Sequence, residues 1–134
     1  MKKAISILLV LSLILALPTV AQAATIPIMP LYTHISSITS GLSISSSGMA
    51  SCSGQVIHAS GNHARLVVTL QQQRNGVWQR FDEWETTGST MVTLGRDRAV
   101  TTGFRYRVVV TATIFDATGR VLETASRTSP ERSF

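Results

Sequence analysis

The length, charge and cysteine content of this chain limit what it can be. It has 134 residues, a formal net charge of +5 and a single cysteine, Cys52. This length is typical of one domain, and a lone cysteine excludes an internal disulfide. We expect Cys52 to be buried as a small apolar residue; the alternative is a disulfide to another chain.

The N-terminus is typical of a secretory signal peptide. Two lysines precede an apolar run at residues 4–17, and a small-x-small cleavage site ends at Ala23. The run is shorter than the roughly 20 apolar residues that span a bilayer, which argues against the alternative of an uncleaved anchor. No cysteine follows the cleavage site and no hydrophobic tail ends the sequence, so we expect no covalent anchor. We therefore predict a signal peptide at residues 1–23 and a secreted bacterial protein.

After an extended lead-in at residues 24–31, residues 32–134 have the composition of a single β domain. Ser, Thr, Val and Ile favour strands, and turn residues recur about every ten positions. Each predicted strand has one apolar and one polar face, so two sheets must pack face to face. We predict an all-β, immunoglobulin-like antiparallel sandwich of about seven strands, at residues 34–45, 49–59, 64–74, 77–86, 90–96, 104–115 and 120–127.

The fourth strand does not follow the alternation of a regular strand. Trp78, Phe81 and Trp84 are three residues apart, whereas side chains in a strand alternate with a period of two. A helix would place the three rings on one face, but the hairpin signal Asn75-Gly76 before them favours a strand. We therefore expect a bulge or at least one outward-facing aromatic ring in this strand.

The sixth strand has the clearest alternation in the chain. One face carries apolar and aromatic side chains, namely Phe104, Tyr106, Val108, Val110, Ala112 and Ile114. The opposite face begins with Arg105 and Arg107. A tight turn is predicted at residues 116–119, with Gly119 in the left-handed conformation.

The stretch GFRYRVVVTATIFDATGR is similar to the sixth strand and following hairpin of immunoglobulin-like and fibronectin type III-like domains. The resemblance implies that the hydroxyl of Tyr106 folds back onto the preceding corner of the chain. It also implies that Trp78 takes the place of the core tryptophan. Val108 replaces the second cysteine of the immunoglobulin disulfide, so that bridge is absent.

The chain also resembles a class of uncharacterised small secreted proteins of Gram-positive bacteria. The resemblance is carried by ISSITSGLSISSSG, by an ASCSG-like strand and by an N-G-x-W turn, here at residues 75–78. It implies an extracellular β domain and brings no activity with it.

The sequence carries no motif typical of catalysis or cofactor binding. The serines lack a G-x-S-x-G elbow, and Cys52 lies within a strand rather than at a helix N-terminus that would activate it. His58 and His63 flank a turn and are expected to be solvated, since a structural zinc site needs about four ligands. The acidic residues within 82–85 lack the spacing of a calcium loop and are expected at a solvated edge. We predict a protein that is not an enzyme, with no catalytic residue, metal or cofactor.

Five residues are candidates for binding. Arg105 and Arg107 lie on the outward face of the sixth strand, and Arg65 is expected beside them if the third strand pairs with the sixth. Either Trp78 or Trp84, whichever faces outward, adds a stacking platform. Arginine and aromatic side chains are enriched in binding surfaces; the ordinary alternative is a solvated sheet face.

These observations favour a secreted, non-enzymatic binding module that recognises an extracellular protein or an anionic envelope or glycan polymer. Without the two lysines of the predicted signal peptide, ten arginines face seven acidic residues, a mild excess that permits attraction to anionic polymers. Export argues against nucleic acid as a partner, and no stable membrane insertion is expected after cleavage. The alternatives are an assembly protein that pairs through its edge strands and, more remotely, a small hydrolase.

Overall fold

The computed structural model describes residues 31–134 and places eight strands in them. The predicted signal peptide, and the lead-in up to residue 30, lie outside the described residues. The strands are β1 (Ile35–Ile44), β2 (Met49–His58), β3 (His63–Arg74), β4 (Val77–Ser89), β5 (Met91–Ala99), β6 (Arg105–Phe115), β7 (Val121–Thr128) and β8 (Arg132–Ser133). Within this part of the chain, no helix is long and apolar enough to cross a membrane.

The strands form two antiparallel sheets. One has three strands in the order β1-β2-β5; the other has five, in the order β4-β3-β6-β7, with β8 also paired to β6. The chain changes sheet after β2, after β4 and after β5. The prediction of an all-β antiparallel sandwich is confirmed, and the short β8 is an addition to it.

The core lies between the sheets and consists mainly of alternate residues of β1, β2, β3, β5 and β6, with Ala125 of β7. It includes Val56 of β2, Leu66 and Leu70 of β3, and Val108 and Ile114 of β6, all fully buried. At its centre the backbone of Gly54 approaches the other sheet so closely that a Cβ there would lie 2.7 Å from a methyl carbon of Val110. The separation of the two sheets therefore depends on a glycine at this position.

Two strands extend beyond their predicted ends. The Thr-Gly pair at residues 87–88 does not end β4, because pairing with β3 continues until Ser89 lies opposite His63. β5 runs on to Ala99, which pairs with Met49 of β2. Thr90 alone connects the two strands across the sheets, with a positive φ of 64°.

The predicted turns have the expected backbone. Asn75 and Gly76 have φ values of 51° and 76°, as a two-residue turn between twisted strands requires. Gly119 has a φ of 86°, which confirms the left-handed residue predicted after β6.

Tyr106 makes the corner that the resemblance implied. Its hydroxyl donates to the carbonyl oxygen of Thr101 at 2.7 Å and accepts from the Thr101 amide at 2.9 Å. It also accepts from Nε2 of buried Gln72 at 2.8 Å. These bonds tie the loop before β6 to the core, so this prediction is confirmed.

A bulge in β4 separates the two tryptophans. Leu70 pairs with Asp82 and the next residue of β3, Gln71, pairs with Arg80, so Phe81 is the extra residue. Phe81 points inward and packs edge-on against Tyr106, with the ring centroids 5.7 Å apart. The expectation of a bulge is confirmed.

The bulge also decides which tryptophan faces the core. Trp84 lies opposite buried Val68 and packs against the core, whereas Trp78 lies opposite Gln73 on the outer face. The core position that the resemblance implied for Trp78 is therefore wrong. Trp78 precedes the extra residue and Trp84 follows it, so their side chains leave opposite faces of the sheet.

Candidate functional site

Two rows of side chains cross three neighbouring strands on the outer face of the five-stranded sheet. In one row Gln73 of β3 pairs with Trp78 of β4 on one side and with Arg105 of β6 on the other. In the next row Gln71 stands between Arg80 and Arg107. We call Trp78, Arg80, Arg105 and Arg107 the Arg–Trp patch.

Arg107 is the cation of the Arg–Trp patch that contacts two neighbouring side chains. Its guanidinium carbon lies 4.2 Å from the centroid of the Trp78 ring, and its Nε donates to Oε1 of Gln71 at 2.7 Å. A cation over an indole ring at an exposed site contributes about 0.5–1 kcal/mol. Within residues 31–134, no carboxylate forms an ion pair with Arg107, so its charge is held in place without being neutralised.

The other two arginines of the patch make exposed ion pairs. Arg80 Nη1 lies 3.7 Å from Glu83 Oε1, and Arg105 Nη1 lies 3.4 Å from Glu131 Oε2. All four side chains are at least 41% exposed, and such pairs contribute only about 0–1 kcal/mol. An incoming anion can therefore displace either glutamate at little cost.

A shallow cavity of about 360 Å³ lies at the end of the sandwich beside the Arg–Trp patch. It is lined by Gln73 and Arg105, by the turn at residues 75–76, and by Phe104 and Phe134 among others. It extends the flat patch into a depression with both polar and aromatic walls.

Two of the five candidate residues do not belong to the patch. β3 pairs with β6 as expected, but Arg65 lies opposite Thr113, six positions along β6 from Arg107. At about 3.3 Å per residue this is about 20 Å, so the prediction that Arg65 lies beside the arginine pair is wrong. Trp84 is excluded because it faces the core.

Sequence reasoning missed Arg80. Without the bulge at Phe81, an even spacing from Trp84 would have placed Arg80 on the inward face of β4. The extra residue turns it outward, opposite Gln71. The three-residue spacing of the aromatics was the signal that could have led to it.

The fold does not bring Cys52 together with the histidines, since His58 lies six positions further along β2 and His63 lies on β3. Cys52 faces the core and is 2% exposed, which confirms the expected burial. His58 shares that inward face and is 3% exposed, so the prediction that it is solvated is wrong. His63 begins β3 in the other sheet and stacks on Phe115, with ring centroids 5.2 Å apart. Among residues 31–134, no three histidine, cysteine or acidic side chains are grouped so that they could hold a metal ion.

Burial raises the pKa of the Cys52 thiol to about 11, and the charges of Asp97 and Asp82 act in the same direction. At pH 8 the thiolate fraction of the folded protein is about 100-fold smaller than that of the unfolded protein, so we expect a thiol-reactive disulfide reagent to label the folded protein at least tenfold more slowly. Burial of the sulfur slows the reaction further. Cys52 is the chain's one thiol, so the protein in guanidinium is its own reference; equal rates would contradict this environment.

The same pKa change predicts how stability depends on pH. Folding raises the thiol pKa from 9.0 to about 11, so the folded state favours the protonated thiol. This contribution to the free energy of unfolding is complete below pH 9 and is lost as the pH rises towards 11. Replacing Cys52 with serine, which does not titrate there, should flatten this part of the pH profile of the urea midpoint.

Comparisons with protein families and with curated proteins find no match. No protein-family model matches the chain, and no curated protein matches it either. What the surface can do therefore follows from its chemistry: three guanidinium groups and an indole ring, on a flat sheet face, can hold anionic groups.

Proposed function

We propose that this protein is an exported, non-catalytic binding module that holds an anionic polymer outside the cell through the Arg–Trp patch. The observation that carries the proposal is the geometry of Arg107. Gln71 and Trp78 fix its guanidinium in one position, so little side-chain entropy remains to be lost when an anion binds.

The distribution of the arginines over β4 and β6 favours a polymer over a single small anion. The backbone positions of Arg80 and Arg107 are separated by two strand spacings of about 4.8 Å, or about 10 Å across the sheet, and the guanidinium of Arg107 reaches over Trp78 of β4. Arg105 and Arg107 are two residues apart on β6, which is about 7 Å along the strand. A guanidinium fork binds phosphate or carboxylate through two parallel hydrogen bonds, so a polymer that carries several such groups can contact more than one arginine of the patch at once.

The test is co-sedimentation with isolated Gram-positive cell walls, at low and at high salt. The protein is purified after expression of all 134 residues, and its intact mass reports whether cleavage follows Ala23. The double variant Arg105→Ala with Arg107→Ala should bind at least tenfold more weakly than the unchanged protein. Binding of the unchanged protein should weaken as salt screens the charges.

A charge-matched control separates the patch from general attraction. Arg65→Ala with Arg120→Ala removes the same number of positive charges, at two exposed arginines that do not belong to the Arg–Trp patch, and this variant should bind almost as well as the unchanged protein. Equal losses in the two variants would mean that net charge alone drives binding. Binding that survives high salt would point to Trp78 and an uncharged glycan, and no binding at either salt would overturn the proposal.

A further inference from the structure

The four outer edges of the sheets formed by residues 31–134 are not protected alike. Natural sheets guard their edges with charged side chains, prolines and bulges. The edges at β4, β5 and β7 carry charges within the strand, and β4 and β7 also carry an irregularity in their pairing. β1 reads ISSITSGLSI and contains neither a charged residue nor a proline; its one irregularity in pairing lies at its start, between Ile35 and Ser37.

The free edge of β1 is regular over most of its length. Its pairing with β2 continues without a break from Ser37 to Ile44. The Ser45 amide donates to the Met49 carbonyl in the same register, so odd-numbered residues of β1 bond to β2 and even-numbered ones turn their backbone groups outward. In agreement, the carbonyl of Leu42 accepts a hydrogen bond from the Arg132 side chain, at 3.4 Å, rather than from β2.

The sequence of β1 is complementary to itself in the antiparallel direction. Read in either direction from Ser40, the strand has a small residue, then a large apolar residue, then a serine. An antiparallel copy centred on Ser40 therefore places Ile38 opposite Leu42 of the partner subunit and serine opposite serine. No like charges meet in this arrangement, and an isologous contact of this kind closes after two subunits.

We propose that two copies of this chain pair through β1, about a two-fold axis at Ser40, and so form one six-stranded sheet. Three residue pairs exchange two backbone hydrogen bonds each, about six in all. Ile38 and Leu42 are each 8% exposed already, so apolar burial adds little. The backbone bonds dominate, and the dimer is a weak one that depends on protein concentration.

Arg132 competes with the second copy for this edge. Its bond to Leu42 must break when Leu42 accepts from the partner strand. Arg132 is exposed and the bond is long, so its displacement costs little. Removing this side chain by Arg132→Ala should therefore tighten the dimer.

The pairing has a consequence for the proposed function, although it does not rest on it. A two-fold axis between antiparallel strands of one sheet is perpendicular to that sheet, so both five-stranded sheets lie on the same side of it. The two Arg–Trp patches then face the same direction, as simultaneous binding to one polymer surface requires.

The test is sedimentation velocity over a wide range of protein concentration, on the protein purified after expression of all 134 residues. Thr39→Lys places a charge on the exposed outer side of β1, opposite Gly41 of the partner subunit, so that the two introduced lysines are diagonal neighbours about 7–8 Å apart across the axis. Thr93→Lys is the matched control, because Thr39, Gln55 and Thr93 form one row across the same sheet, with Thr93 on the opposite edge. We expect a dimer that Thr39→Lys weakens at least twofold at low salt, as repulsion between two exposed charges about 8 Å apart requires, and that Thr93→Lys leaves unchanged.

Circular dichroism of the two variants checks that both are folded, since both threonines are exposed. A protein that stays monomeric at every concentration would overturn the proposal. A dimer that Thr93→Lys disrupts and Thr39→Lys does not would overturn it in favour of the β5 edge.

Discussion

Gly54→Ala is expected to lower the free energy of unfolding by about 1–3 kcal/mol, and Gly54→Val to prevent folding. A Cβ at this position would lie 2.7 Å and 3.0 Å from the two methyl carbons of Val110 and 2.9 Å from one of Val68. All three methyl groups are in the buried core, so the sheets must move apart to accept it. Urea unfolding followed by fluorescence measures the change.

A second glycine in the same sheet is the control. Gly95 also lies within a strand, but the nearest heavy atom to a Cβ there is the Cys52 carbonyl oxygen at 4.0 Å. Gly95→Ala should leave stability unchanged or raise it by up to about 1 kcal/mol, since it reduces the freedom of the unfolded chain. Adding Val110→Ala to Gly54→Ala should cost less than the sum of the single changes. Equal effects of the two glycine substitutions would mean that the sheets are not in close contact at Gly54.

Tyr106→Phe is expected to lower the free energy of unfolding by about 2 kcal/mol. The change removes one hydroxyl and, with it, three hydrogen bonds to Thr101 and Gln72. Gln72 is 3% exposed, so its amide loses a partner that water does not readily replace, and a buried polar group without a partner costs about 1–3 kcal/mol. Urea unfolding measures the change. The loop near residue 101 should also become more sensitive to protease, because Tyr106 no longer ties it to the core.

Tyr32→Phe provides the comparison for this change. Tyr32 is the chain's other tyrosine and is partly buried against the edge of the core. The same loss of a hydroxyl there should change the free energy of unfolding by about 0.5 kcal/mol or less. If both substitutions had the same small effect, the corner at Tyr106 would not contribute to stability.

The fold could be predicted from the sequence because its signals are local. The alternation in β6 and the Asn75-Gly76 turn depend on neighbouring residues, and the structure confirms both. The two-sheet architecture follows from strands that each have one apolar face. Where the strands end depends on distant pairing, which is why β4 and β5 are longer than predicted.

The candidate site could be predicted only in part, because it depends on register. The sequence led to Arg105, Arg107 and Trp78, which the structure brings together in the Arg–Trp patch. It misplaced Arg65, because knowing that β3 and β6 pair does not tell which residues lie opposite one another. It missed Arg80, because the three aromatics indicate a bulge without showing that Phe81 is the extra residue.

The exchange of strands between the two sheets has a consequence for how the chain folds during its synthesis. The hairpin of β1 and β2 has no second sheet to pack against until β3 and β6 have been synthesised. Its own sheet is complete only after β5 has been synthesised and pairs with β2. At typical translation speeds, on the order of 3–10 s separate the synthesis of residue 58 from that of residue 115. Sandwiches built from such distant pairings also fold slowly, in milliseconds to seconds. The nascent chain therefore exposes its apolar strand faces for seconds, an interval in which chaperones can bind it.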